Sequence, residues 1–267
     1  MRFLQCSMKG PAAMAILVKE IYRYPVKGLS AEQLESVNLK AGESVPDDRR
    51  FAIAHGSTQF DCTDPKWMPK QNFLMLAKDE RLAQLKTQFD SDSQTLAIFR
   101  QGKQVVKADV SDIMGRTVVG QFFASFMAGT ARGTPKFLEA PGHSFSDVPL
   151  KVLSFINLAS VADLERVLRQ PVHPIRFRAN AYLQGLPAWQ ERGWIGRRFR
   201  VGEVRFQVVK EIERCAATNV NPDSAERDMN IPLTLRKGFS HLNMGVYAEV
   251  IEGGNLMTGA ELELEPE

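Results

Sequence analysis

Closely spaced cysteines are what this sequence most clearly lacks. Its 267 residues hold three, Cys6, Cys62 and Cys215, with no CxxC among them. That pattern excludes a disulfide framework and a structural zinc site. It also excludes an iron–sulfur cluster held by this chain, since a cluster needs several thiolates close together. Histidine is scarce as well. His55, His143, His173 and His241 show no metal-ligand spacing.

Long apolar runs are missing. None approaches the roughly 18 residues that a membrane-spanning helix needs, so no membrane association is expected. Charge of one sign is missing too: 34 Lys plus Arg against 31 Asp plus Glu leaves +3. Bulk attraction to nucleic acid is therefore not expected, and any basic site must be a local cluster. A cytoplasmic location is the expectation. Residues 1–14 carry an early Arg2 but no apolar h-region, and read as a disordered leader.

The composition, 44% hydrophobic and 24% charged, is that of a soluble globular chain with a core of its own. Short strands dominate the pattern. They are expected at 16–24, 34–39, 50–55, 150–156, 175–183, 201–209, 245–251 and 261–264. The Gln101-Gly102-Lys103 turn predicts a hairpin between 96–100 and 104–107. Helical spacing is expected over 80–89 and 110–127. Another helix is expected to start at a capping-box-like Ser160-x-x-Asp163 and run to Arg169. The Gly- and Thr-rich stretch 128–135 is the best linker candidate. Strands and helices do not alternate as in a βαβ chain, which argues for an α+β, β-rich, barrel-like architecture.

Three constellations can carry chemistry. In Glu213-Arg214-Cys215-Ala216-Ala217-Thr218 a cysteine follows a strand and stands beside an arginine. Neighbouring cations favour the thiolate, a soft ligand for redox metals. A buried structural cysteine is the alternative. In Arg176-Phe177-Arg178-Ala179-Asn180 the polar residues alternate, so a strand would set three donors on one face, suited to an oxygen-rich anion. A solvated strand face is the alternative. Lys27 in the turn Tyr24-Pro25-Val26-Lys27-Gly28-Leu29, and Arg49 in Asp48-Arg49-Arg50-Phe51, offer further cations, with ion pairing as an equal explanation for Arg49. Arg197, Arg198 and Arg200 beside Trp194 read as solvated surface or as a docking patch for an acidic partner.

Taken in order, these segments resemble one family. YPVKGL and DRRF resemble the MOSC N-terminal β-barrel domain. RFRANAYL, LPAWQERGWIG, ERCAATNVNPDS and GVYAEVIEGGNLMTGAELEL resemble the MOSC domain, named after the C-terminal domain of molybdenum cofactor sulfurase. The resemblance covers about residues 15–265. It implies two β-rich, barrel-like modules with peripheral helices, 15–130 and 131–267, and a molybdenum–molybdopterin cofactor between them. Cys215 matches the family's metal-ligating, catalytic cysteine. Lys27, Arg49, Arg178 and Asn180 match its cofactor contacts, with Thr218 a weaker match. Arg176, Arg214 and Asn157 would support them.

The resemblance further implies reduction of N-hydroxylated compounds such as hydroxylamines and amidoximes. With no cluster of its own, the chain would take electrons from a separate donor protein. The alternative function is a carrier that passes on the cofactor, or a persulfide sulfur held on Cys215. Two departures stand out. Position 179 is Ala where mitochondrial amidoxime-reducing components have Pro, and no segment matches that branch's membrane anchor.

Overall fold

The computed structural model describes residues 15–266; the expected leader 1–14 lies outside them. The N-terminal half runs β1 (Ile16–Arg23), β2 (Glu32–Leu34), β3 (Ser36–Leu39), β4 (Phe51–Ala54), β5 (Leu85–Asp90), β6 (Thr95–Arg100), β7 (Lys103–Asp109) and α1 (Ile113–Phe126). Then follow β8 (Lys136–Glu139), β9 (Leu153–Asn157), α2 (Leu158–Leu168), β10 (Ala181–Gln184), β11 (Arg198–Val201) and β12 (Val204–Glu213). The chain ends with α3 (Ile231–Phe239), β13 (Asn243–Glu252), β14 (Gly254–Met257) and β15 (Glu261–Leu264).

A closed barrel dominates. Its strands run in the order β10-β9-β13-β12-β11-β15-β1, and β1 closes it by pairing with β10, while β2 extends from β1. Closure leaves no unpaired edge among these strands. β12 shows why the sequence folds this way: Val204, Phe206 and Val208 are buried at every second position, as a half-buried strand requires. Phe206 stacks on Phe199 at 4.9 Å between ring centres and meets Phe155 edge-on at 5.3 Å. Each such buried ring contributes about 1.5–3 kcal/mol.

A second core belongs to the N-terminal half. The β5-β6-β7 sheet and α1 enclose Phe51, Phe89, Leu96, Ile98 and Phe123. The hairpin turn at Gln101-Gly102 is where the sequence places it. β8 pairs back onto β4, so the 128–135 stretch leads into this half instead of leaving it. β1, in turn, belongs to the barrel built largely from the C-terminal half. The architecture is α+β and β-rich, with three α-helices at the periphery among the described residues.

Three local expectations are corrected. Residues 80–89 do not form a helix: a single 3-10 turn over Glu80–Gln84 leads into β5. Leu85, Thr87 and Phe89 are buried alternately against β6, so period two wins over the coincidental helical spacing of Leu82 and Leu85. The helix after β9 starts earlier than Ser160. Asn157 caps it, accepting from the Ala159 amide, and Ser160 sits inside, fully buried, donating to Glu191.

The strand expected over 175–183 is also absent for most of its length. Pro174–Phe177 is a 3-10 turn, Arg178 takes a left-handed conformation (φ 51°), and the strand begins only at Ala181. Pro174 favours a turn start, and the left-handed residue prevents a strand from running through it. One parallel crossover, β9-α2-β10, exists within the otherwise antiparallel barrel. α3 was not foreseen, although Asn230 caps it and Pro232 stands in its first turn.

Candidate functional site

Cys215 stands just past the end of β12, at the start of a 3-10 turn over Ala216–Asn219. Its backbone is fixed from both sides. The Thr218 hydroxyl and the Thr218 amide both donate to the Cys215 carbonyl, at 2.9 and 3.1 Å. The preceding Arg214 is buried, with Nε donating to the Met244 carbonyl (2.8 Å) and Nη1 to that of Phe177 (2.9 Å). Cys215 itself is a free, partly exposed cysteine, not one sealed in the core.

All six predicted residues line one cavity of about 430 Å³: Cys215, Thr218, Lys27, Arg49, Arg178 and Asn180. The expected supports Arg176 and Arg214 line it as well. Asn157 does not; its amide donates to Glu191 and the Pro187 carbonyl while its oxygen caps α2. Seven cationic side chains line the cavity against four carboxylates, so its walls carry surplus positive charge.

That charge is poorly compensated where Arg178 sits. One of its N–H groups donates to the Leu29 carbonyl at 2.6 Å, and its guanidinium lies 4.4 Å from the centre of the Tyr24 ring. Burial, with the like charge of Arg49 adding to it, pulls its pKa down to about 10. Arg49 lies over the same ring, also at 4.4 Å. It donates to the Arg178 carbonyl (2.8 Å) and pairs with Asp48. Both arginines have φ of 51°, a conformation that costs a residue with a Cβ about 1–2 kcal/mol.

Lys27 is buried and donates to the Phe145 carbonyl (2.8 Å) and to Asp147. Burial pulls its pKa down even so, Asp147 notwithstanding. Burial pushes the half-exposed Asp147 carboxyl upward, but Lys27, Lys70 and Arg49 outweigh it and hold it below the usual carboxylate range. Gly28 follows with φ 83°, and a Cβ there would come within 3.2 Å of the Leu74 carbonyl. The YPVKGL turn thus needs its glycine for conformation and for close backbone approach.

Asn180 lines the cavity and is also bonded to its neighbours. Its oxygen accepts from the Ser154 hydroxyl (2.9 Å) and amide (3.1 Å), and its nitrogen donates to the Tyr22 carbonyl (3.2 Å). These bonds tie β1, β9 and the approach to β10 together, so Asn180 shapes the cavity wall from behind.

Lys70, Asp147 and Tyr247 also line the cavity and were missed. Burial works against the Lys70 ammonium, but Cys215 and then Asp147 beside it more than offset that and raise its pKa. The one hint in the sequence was the long stretch without strand or helix pattern after His55, the kind of loop that often carries function. In the expected basic patch, Arg197 donates to the Glu265 carbonyl at 3.1 Å, and Arg200 is ion-paired. Arg200 pairs with Glu252 at 3.0 Å and Glu265 at 3.3 Å, and Arg205 pairs with the same two carboxylates.

Among the described residues, no three His, Cys, Asp or Glu side chains gather as a metal site. A single thiol, Cys215, stands in this cationic wall. The MOSC domain model matches residues 142–263, and the MOSC N-terminal beta barrel domain model matches residues 15–134. The chain belongs to the MOSC family.

Among curated proteins, this MOSC chain is 33% identical to the molybdenum cofactor sulfurase of Caenorhabditis elegans over 112 residues, 40% of this chain and 15% of that one. It is 31% identical to mitochondrial amidoxime reducing component 2 of Rattus norvegicus over 87 residues, 33% of this chain and 25% of that one. The chain thus spans a quarter or less of the length of these relatives. Among solved structures it is similar to the YUAD protein from Bacillus subtilis, with 12% identity, a TM-score of 0.43, and coverage of 94% of this chain and 96% of that one. YiiM from Escherichia coli gives 23% identity and a TM-score of 0.33, covering 43% of this chain and 54% of that one. No helix among the described residues is long and apolar enough to cross a membrane.

Proposed function

We propose that this MOSC-domain protein binds a molybdenum–molybdopterin cofactor through Cys215 and reduces N-hydroxylated compounds with electrons from a separate donor protein. The observation that supports it is the gathering of Cys215, Thr218, Lys27, Arg49, Arg178 and Asn180, up to 191 positions apart in sequence, on one cationic cavity wall. The amidoxime reducing relative adds weight to the reductase reading.

When bound, such a cofactor supplies two-electron, oxygen-accepting chemistry at its metal. The chain's own residues do the rest. The Cys215 sulfur is the group that would hold the metal, presented by a backbone that Thr218 and Arg214 keep in place. Arg178, Arg49 and Lys27 would hold the carrier's phosphate and ring oxygens. Each charge-assisted bond contributes about 1.5–3 kcal/mol, so three account for tight retention where one would not. Lys70 and Asp147 place a charged donor and a carboxylate in the same cavity, within reach of protons consumed in a reduction.

The test is to express the chain in a cofactor-competent host, measure molybdenum and pterin content, and assay amidoxime reduction with an artificial donor. Cys215→Ala is expected to abolish turnover while the melting temperature stays unchanged, since the Thr218 bonds are to the backbone carbonyl. Full activity in that variant would rule out the thiolate as ligand.

The similarity to molybdenum cofactor sulfurases supports a second reading, a carrier of cofactor or of persulfide sulfur. It predicts a transferable sulfur on Cys215, detectable by mass spectrometry, and no catalytic turnover.

A further inference from the structure

One hydroxyl in the cationic cavity has no partner in the protein. Tyr247 lies on β13, where Val246 and Ala248 are buried in the barrel core and the residue between them turns to the other face. Its strand partners are Lys210 on β12 and Ser154 on β9, and both line the cavity with it. Pairing on both sides fixes the backbone from which the side chain projects. Lys210 Nζ lies 5.8 Å from the centre of the Tyr247 ring.

The other hydroxyl and amide side chains of this wall are occupied. Ser146 donates to the Val148 carbonyl, Ser154 to Asn180, Asn180 to the Tyr22 carbonyl, Thr218 to the Cys215 carbonyl and Asn243 to Glu211. The Tyr247 hydroxyl makes no hydrogen bond among the described residues, although a phenol can both donate and accept. It is not one of the buried atoms left without a partner, so space adjoins it. The charged groups that act on it, Arg214, Asp147, Arg49 and Lys70, all line the cavity, so the hydroxyl itself faces that space. Lys70 also acts on Cys215, which puts the hydroxyl in the part of the cavity that holds the sulfur. Burial raises the phenol's pKa above its ordinary value, Arg214 notwithstanding, so it keeps its proton at neutral pH.

We propose that Tyr247 is a specificity-determining residue whose hydroxyl donates to the oxygen of the substrate's N–OH group and so tells an amidoxime from the amidine it becomes. The inference rests on the reductase reading above and adds the group that selects the reactant. Arg49, Arg178 and Lys27 already await the anionic groups of a cofactor, and an anion gains more from a charged donor than from a neutral one. The N–OH oxygen is uncharged. A neutral hydroxyl pairs with it without taking a further charge out of water. The amidine lacks that oxygen, so the contact exists with the reactant and not with the product.

Tyr247→Phe removes this oxygen alone. No described residue loses a hydrogen bond, so melting temperature and molybdenum content should match those of wild type. The probes are benzamidoxime and benzamidine, titrated calorimetrically into oxidised, molybdenum-loaded full chain with no electron donor, so that nothing turns over. Benzamidoxime should bind roughly two- to tenfold more weakly to the variant, the range of one neutral hydrogen bond. Benzamidine should bind both proteins equally. Equal benzamidoxime affinity in the two proteins overturns the proposal, as does undetectable binding to loaded wild type. A loss shared by benzamidine overturns it too, because the packing of the ring would then have changed. So does a lowered melting temperature, which would give the hydroxyl a partner within the protein. A chain that takes up no molybdenum sinks the reductase reading and this proposal together. A loaded chain that binds benzamidoxime without regard to residue 247 sinks the proposal alone.

Discussion

The guanidinium groups of Arg49 and Arg178 share one aromatic ring. Each lies 4.4 Å from the centre of Tyr24, and Arg49 donates to the Arg178 carbonyl across 129 positions of sequence. Two like charges on one buried ring, each on a left-handed backbone, are held there by the surrounding fold at a cost. On the proposed reading, the cofactor's anionic groups would relieve that cost at Arg178.

Arg178→Ala is therefore expected to lower cofactor affinity by about 10- to 150-fold, the equivalent of one charge-assisted bond. Arg178→Lys should recover little, because a lysine cannot both stack on Tyr24 and donate in two directions. Molybdenum stoichiometry after gel filtration measures it. Wild-type stoichiometry in Arg178→Ala would remove this arginine from the site.

Lys27 leads to a pH effect whose sign is fixed. Anion binding needs the ammonium, and burial sets its pKa below the ordinary 10.5. As pH rises through that lowered value the charge is lost, so affinity for sulfate, which does not titrate in this range, should fall at a lower pH than an ordinary lysine allows. Lys27→Gln should remove that step from the sulfate titration curve. A curve whose alkaline limb is identical in the variant would contradict the assignment.

Asp147 competes with any incoming anion for the same ammonium. Asp147→Asn should consequently tighten sulfate binding, by several-fold at neutral pH, although the variant removes a native ion pair. Weaker sulfate binding would mean that the carboxylate positions Lys27 instead of occupying it.

Asn180→Ala should act on stability before it acts on the cofactor. It strands the Ser154 hydroxyl and amide and the Tyr22 carbonyl, all at buried or partly buried positions. A buried group left unpaired costs about 1–3 kcal/mol. Urea unfolding should show a loss of at least about 2 kcal/mol with an unchanged slope. A fully stable variant that fails to retain cofactor would restore Asn180 to the contact role expected from its motif.

Much of this site was legible without coordinates. Cys215, Lys27, Arg49 and Arg178 were read from residue chemistry and family resemblance, and one cavity holds them all. Absence was informative too: without clustered cysteines or metal-spaced histidines, no iron–sulfur or structural zinc site of the chain's own was expected. Alternation gave the β6–β7 hairpin and the first part of β12, expected over 201–209 and observed over Val204–Glu213, because burial on one face of a strand imposes period two on the sequence itself.

What the tertiary structure alone decided is contact between distant segments. Asn180, expected as a cofactor contact, lines the cavity and also clamps Ser154 and Tyr22, 26 and 158 positions away. Lys70 carried no signal beyond its place in a long irregular stretch and still faces Cys215. The helix expected at 80–89 gave way to a 3-10 turn and a strand because Leu85, Thr87 and Phe89 bury alternately against β6. Local sequence sets which side chains can bear charge, sulfur or apolar surface. Which of them meet depends on how the barrel closes, and that is settled by pairings such as β1 with β10, far apart in sequence, that no short window of residues contains.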